Sequence, residues 1–273
     1  MATLGEALFE AKVKYHQARR TLRWLRDRHR FARTRATEEQ LAEFPVVAFR
    51  HASTLIRDPA RAEQDLQHGK VRNLRLAAAR LDRLLIRPGE ILSFWFTVGA
   101  PTRRRGFEDG LELRNRQLLP SVGGGLCQMT NLLYWMALHL DLEIVEHHRH
   151  TYDLFPDHER RLPFASGATV LYNYRDLQLR NNLAQPLALR VEVGAEELEG
   201  RFLVREPLGF SVEIVETDHG FFRREGRTWR TNRLWRRVRD AGGTVVREGL
   251  VARNLCEVLY EVSEEVPEGE AAL

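Results

Sequence analysis

The chain has 273 residues, 43% of them hydrophobic and 29% charged, an ordinary globular composition that excludes wholesale disorder. At roughly 150 residues per domain this makes two domains or one large one, able to fold without disulfides or structural metal, and no apolar run approaches the ~18 residues that span a bilayer. The 42 Lys+Arg against 38 Asp+Glu leave a net charge of +4, too even a balance to indicate nucleic acid as a partner.

The charge is unevenly spread. Residues 1–35 hold ten Lys/Arg and three acids, a local +7. This stretch lacks proline, has Gly5 as its one glycine, and disperses Leu4, Leu8, Val13, Leu22, Leu25 and Phe31 among cations, which predicts one or two basic amphipathic helices. Such a face either docks on an anionic membrane or lies solvated on the domain. The N-terminus carries acids within its apolar stretch and no small-residue cleavage site, so it does not read as a secretory signal. The expected location is cytoplasmic, peripheral to the inner membrane face if the basic helix docks there.

Residues 44–50 (FPVVAFR) predict a short strand, and residues 70–86 a helix with Leu74, Ala78, Leu81 and Leu85 on one face. Arg87-Pro88-Gly89-Glu90 stops it with turn chemistry. Residues 91–98 predict a strand rich in aromatics, 99–110 a loop and 111–119 another strand. A second helix opens at Gly123-Gly124-Gly125-Leu126-Cys127-Gln128, with Leu132, Leu133, Met136 and Leu140 on one face. Residues 142–146, 168–174, 177–179 and 187–193 read as strands, with a turn at Asn181-Asn182. The strand pattern continues over 201–262, with turns at Asp218-His219-Gly220 and Ala241-Gly242-Gly243. Helices first, then one helix embedded among short strands, predicts an α+β fold: N-terminal basic helices, a Cys-bearing helix on a mainly antiparallel sheet, and a β-rich C-terminal part.

The glycine-rich segment is the most informative stretch. Three glycines permit unusual backbone angles and close approach of another chain or ligand. Cys127 should then sit in a first helical turn, where free N–H groups and the helix dipole favour a thiolate and could bind an oxyanion, with Gln128 as a further donor. A thiolate nucleophile needs an imidazole from elsewhere in the chain. His148 and His150 follow after one helix and one strand, and alternate residues of a strand share a face. Asp153, Asp176, Asn181 or Asn182 could orient the base. Cys127, His148 and His150 could also be three zinc ligands, but no second Cys or carboxylate stands at a typical short spacing, and no metal or cofactor is expected. The competing reading is a tight turn with Cys127 as a small buried hydrophobe. Cys256, in a strand-like stretch, reads as core, and residues 229–239 (WRTNRLWRRVR) as a strand with a basic outer face.

These residues resemble the VanW family, named from an accessory protein of glycopeptide (vancomycin-type) resistance clusters. The matching pieces are Leu84-Leu85-Ile86-Arg87-Pro88-Gly89-Glu90 with Ser93-Phe94-Trp95, Gly106-Phe107 with Asp109-Gly110, and Gly123-Gly124-Gly125-Leu126-Cys127-Gln128-Met129. They continue with Asn131-Leu132-Leu133, His150, Phe155-Pro156, Ala168-Thr169-Val170, Asp176-Leu177 and Arg180-Asn181. The resemblance covers residues 71–193 most clearly and extends over most of the chain. It implies a link to cell-wall metabolism and glycopeptide resistance. Many relatives have Asp before the Ala-Thr-Val triplet; here that position is Gly167, which removes one candidate for orienting the imidazole.

The resulting expectations are a helical region over 1–60, a family core over 61–200 and a β-rich extension over 201–273. The chain is expected to be a Cys/His enzyme cleaving or transferring an acyl group of peptidoglycan or its peptide precursors. Cys127 is its nucleophile, His150 its base, and His148 and Asp176 assist, while Gly123, Gly124, Gly125, Gln128 and Asn181 hold substrate. The alternative is a non-catalytic module that binds a cell-wall precursor or a partner enzyme.

Overall fold

Helix α1 (Leu4–Asp27) runs for 24 residues and passes through a 3-10 turn (Arg28–Arg30) into extended chain. The structure, a computed structural model, describes residues 4–56, 64–114, 117–149, 152–153, 162–262 and 266–269. Five α-helices and thirteen strands occur among them, and the fold is α+β as expected.

Two helices and one sheet form the main body of the described residues. Strands β1 (Val46–Thr54), β10 (Glu197–Val204), β9 (Leu187–Val193) and β2 (Leu85–Ile86) pair in that order, all antiparallel. Segments from both sides of residues 60 and 200 therefore share one sheet. Helix α3 (Gln64–Leu81) buries Gly69, Asn73, Leu74, Ala77, Ala78 and Leu81 on one face and packs on β9. Helix α5 (Cys127–His139) packs on β1 and β10, and nine of its thirteen residues are buried. It lies so close to the sheet that a Cβ on Gly200 would meet Met136 Cε at 2.7 Å. Apolar residues from Ala32 to Val204 form one continuous cluster.

Several expected elements have different shapes. The 91–98 strand is a three-residue strand, β3 (Ile91–Ser93), followed by helix α4 (Phe94–Val98). Ser93 caps α4 by accepting the Phe96 N–H, and the Asp176 carboxylate accepts the Trp95 N–H, so distant hydrogen bonds override the strand preference of the aromatics. The α3 helix ends at Leu81, before the Pro-Gly turn, because Arg83 adopts a left-handed φ of 66° and its N–H pairs with the Leu189 carbonyl. The 111–119 strand is a hairpin of β4 (Asp109–Arg114) and β5 (Gln117–Val122). Residues 168–174 make no strand; a bridge of Leu171 to Arg175 closes a turn there.

Strand β6 (Glu143–Glu146) pairs with β8 (Gln178–Arg180), which pairs with β3. The C-terminal sheet consists of β11 (Phe210–Arg224), β12 (Arg227–Asp240) and β13 (Val245–Val258), with β7 (Tyr152–Asp153) parallel to the end of β13. Asp218-His219-Gly220 is a bulge within β11, and the chain reverses at Glu225 and Gly226, both with positive φ. The Ala241-Gly242-Gly243 turn is present. Cys256 is buried in this sheet as expected.

Candidate functional site

Cys127 starts α5 directly after the glycine turn and is half-buried. Its Sγ lies 3.8 Å from Thr169 Oγ1. Thr169 in turn donates its N–H to the His148 carbonyl at 2.8 Å, and His147 Nε2 donates to the Gly167 carbonyl at 2.8 Å. The segment 167–169 thus runs between the thiol and the histidine segment. On the helix side, Thr130 Oγ1 donates to the Ala168 carbonyl at 2.7 Å and Asn131 Oδ1 accepts the Ala168 N–H at 2.7 Å. A Cβ on Gly167 would stand 2.7 Å from that Asn131 oxygen, so the glycine at this position lets the segment close onto α5.

The glycine turn is fixed by packing. Gly123 and Gly125 have φ of 84° and 88°, a region that side chains rarely enter. Gly124 crosses Gly110 so closely that a Cβ on it would fall 2.2 Å from the Gly110 carbonyl oxygen. The crossing is held by Asn73, fully buried on α3: its amide nitrogen donates to the Glu108 and Gly124 carbonyls and its Oδ1 accepts the Glu108 N–H. All three glycines therefore have a structural reason that does not involve a ligand.

Several of the donors expected to form an oxyanion site are engaged within the protein. The N–H groups of Gln128 and Met129 donate to Gly125 and Leu126 carbonyls, and that of Thr130 to Leu126. The Gln128 amide nitrogen donates to Ser53 Oγ at 3.0 Å and the Thr54 carbonyl at 2.8 Å. Both of its hydrogens thus tie α5 to the end of β1, so Gln128 is a strut rather than an oxyanion donor.

The remaining expected residues lie in other networks. The His148 ring donates from Nε2 to Glu146 Oε1 at 3.0 Å. His147 stacks on Tyr134, with ring centroids 4.0 Å apart. His150 lies outside the described residues. Asp176 is fully buried and accepts from Ser93 Oγ, the N–H groups of Trp95 and Leu177, and Gln178 Nε2. Its carboxylate therefore organises α4, with no imidazole among these partners. Asn181 donates to the Ile86 and Gln185 carbonyls and accepts the Leu183 N–H, which closes the β8–β9 turn. Asn182 donates to the Asp141 carbonyl, and Asp153 pairs with buried Arg230 of β12 and accepts from Tyr260, just past β13.

One electrostatic network joins this region to α1. Arg20 grips Glu146 with two hydrogen bonds of 2.8 and 2.6 Å and stands 3.6 Å from Asp176. Burial alone would raise the Glu146 pKa, but hydrogen bonds from His148 and Arg20, the Arg20 charge and the Asp176 N–H hold it down to about 2. For Asp176 burial dominates: the hydrogen bonds from Ser93 and Trp95 oppose it, the Glu146 charge reinforces it, and the carboxyl is pushed up to about 6. Among the described residues, no three His, Cys, Asp or Glu side chains converge as metal ligands. A groove of about 400 Å³ lined by residues including Gln40, Phe44, Arg87 and Arg205 involves none of the residues around Cys127.

Residues absent from the sequence-based set are Asn73, Thr130, Asn131 and Thr169. Asn73 had a usable signal: an amide at a core-facing position of an otherwise apolar helix stripe. The others act through contacts about 37–42 residues apart in sequence; Asn131 and Thr169 stand in the family-like motif pieces, but nothing local marks which partners they meet.

The family model "VanW like protein" matches residues 69–203. The chain is 31% identical over 206 residues to "Vancomycin B-type resistance protein VanW" of Enterococcus faecalis, covering 75% of each. It is 29% identical over 123 residues to "Uncharacterized protein YoaR" of Bacillus subtilis, covering 44% of this chain and 38% of that protein. No solved structure matches.

Proposed function

The chain belongs to the VanW family, which is linked to vancomycin resistance, and from that premise we propose that it performs Cys-dependent acyl chemistry on peptidoglycan or its peptide precursors. The observation that carries this reading is the chain of contacts from Cys127 Sγ through Thr169, at 3.8 Å, to the backbone of the histidine segment, at 2.8 Å. His150 is two residues beyond that backbone contact, in the segment from which a base for Cys127 would come. The His148 ring serves Glu146, and Asp176 serves α4.

In this reading the Cys127 sulfur bonds to the acyl carbon of an amide or ester. His150 takes the thiol proton and returns it to the departing amine or alcohol. Water or an acceptor amine then breaks the thioester and regenerates the thiol. The donor to the oxyanion comes from outside Gln128 and the Met129 and Thr130 N–H groups, whose hydrogens are already used.

A second reading, a binding module without turnover, draws support from that same occupancy of the expected oxyanion donors. Incubation of the purified chain with peptidoglycan-derived peptides, read by intact mass, separates the two. The enzymatic reading predicts a mass adduct on Cys127 that Cys127→Ala abolishes. Peptide binding with equal affinity in wild type and Cys127→Ala, and no adduct, overturns it in favour of the module.

A further inference from the structure

The two faces of α1 differ sharply. The inner face holds His16, Gln17, Arg20 and Trp24, fixed to the body by Gln17 to the Tyr172 carbonyl, Arg20 to Glu146, and edge-to-face packing of Trp24 on Phe96. On the opposite face Leu8, Tyr15, Leu22 and Leu25 are 63–69% exposed, and Ala11 and Ala18 between them are exposed as well. Their spacing of three and four residues puts all six on one continuous stripe. Residues 11–26 contain six Lys/Arg and no acid. One of these, Arg20, is held by Glu146. Lys12, Arg19, Arg23 and Arg26 line one side of the stripe and Lys14 the other, all exposed, with Arg26 also bonded to Asp27.

A solvated helix does not need four large apolar side chains in a row, so the stripe calls for an occupant. A second copy of α1 is the wrong one. Antiparallel pairing along the stripe would set Lys12, Arg19 and Arg26 against their own equivalents, and parallel pairing would set them beside Lys14. The charge pattern matches an anionic, partly apolar surface. The helix is not long and apolar enough to cross a membrane. It has instead the pattern of a helix lying in the interface, with its leucines among acyl chains, Tyr15 at headgroup level and its cations on lipid phosphates.

We infer that the outer face of α1 is a binding surface for anionic lipid bilayers, with Leu8, Tyr15, Leu22 and Leu25 inserted and Lys12, Lys14, Arg19 and Arg23 on the headgroups. Because the inner face stays docked, the folded protein binds without α1 detaching. The site around Cys127 takes no part, so Cys127→Ala leaves lipid binding unchanged whether or not the acyl chemistry is right.

Co-sedimentation of the full chain with phosphatidylglycerol/phosphatidylcholine vesicles, and with phosphatidylcholine vesicles alone, tests this. Partition to the anionic vesicles is expected to weaken as salt rises and to fall roughly fivefold for each cation removed in Lys12→Gln and Arg19→Gln. Leu22→Gln is expected to lower it by about tenfold, with an unchanged urea midpoint because that side chain is already exposed. Failure of the folded wild type to bind anionic vesicles overturns the inference, as does equal binding to neutral ones. So does self-association of the chain that Leu22→Gln abolishes, which would identify a second copy as the occupant.

Discussion

Replacing Asn73 by Ala probes how the glycine turn ahead of Cys127 is held. The amide is fully buried and makes three hydrogen bonds: two to Glu108 and one to the Gly124 carbonyl. The Glu108 carbonyl keeps the Gly123 N–H as a donor, so the cost falls mainly on the Glu108 N–H and the Gly124 carbonyl. A buried polar group left without its partner costs about 1–3 kcal/mol, so with two such groups Asn73→Ala should destabilise by roughly 2–6 kcal/mol. Urea denaturation followed by tryptophan fluorescence measures this, with the shift in midpoint and an unchanged slope. Cys127 should also react faster with a maleimide in the variant, because the turn that presents it is loosened. A loss below about 1 kcal/mol with unchanged thiol reactivity would refute the claim that this amide organises the turn.

Two further predictions follow from the same region. Gly124→Ala forces the crossing with Gly110 apart and should cost at least about 2 kcal/mol, whereas Gly220→Ala, where a Cβ meets nothing within 4 Å, should stay within about 0.5 kcal/mol of wild type in the same denaturation assay. The two carboxyls beside Arg20 have opposite pH signatures. Glu146, depressed from 4.5 to about 2, contributes up to about 3 kcal/mol that is present above pH 4.5 and lost as pH falls toward 2. Asp176, raised from 3.8 to about 6, contributes stability present below its unfolded value and lost as pH rises through 6. Urea midpoints measured from pH 3 to 7 should therefore lose their acid-side decline in Glu146→Gln and their decline toward neutrality in Asp176→Asn; profiles superimposing on wild type would refute both assignments.

Helix α5 and strand β9 are legible in the sequence because their periodicity agrees with their final environment: an apolar helix held by the core, and a strand of Leu, Ala and Val between two neighbours. Helix α4 is not legible, because FWFTV favours a strand and only capping by Ser93 and the reach of Asp176, just before the neighbouring strand β8, make it helical. The long β11 hides its bulge for a related reason. Asp218-His219-Gly220 carries turn chemistry, but pairing with β12 on both sides keeps the strand running through it. At the candidate site, the sequence marks Cys127 and the need for glycine, yet it cannot show that the need comes from Gly110, Lys70 and Pro101 crowding the turn. Gln128 is conspicuous in the motif, and its role as a strut depends on Ser53 and Thr54, more than 70 residues away. The exposed stripe of α1 is visible in the sequence as periodicity; which face packs on the body becomes clear only from the contacts of Gln17, Arg20 and Trp24 with the Tyr172 carbonyl, Glu146 and Phe96.

The central proposal stands on an activated Cys127 thiol, and the pH dependence of its alkylation tests that most directly. Cys256 is buried and serves as the unreactive reference thiol in the same molecule. The proposal predicts that Cys127 labels with a midpoint well below the ~8.5 of an ordinary cysteine, and that His150→Ala moves the midpoint up toward that value. An ordinary midpoint in wild type, left in place by His150→Ala, would contradict it.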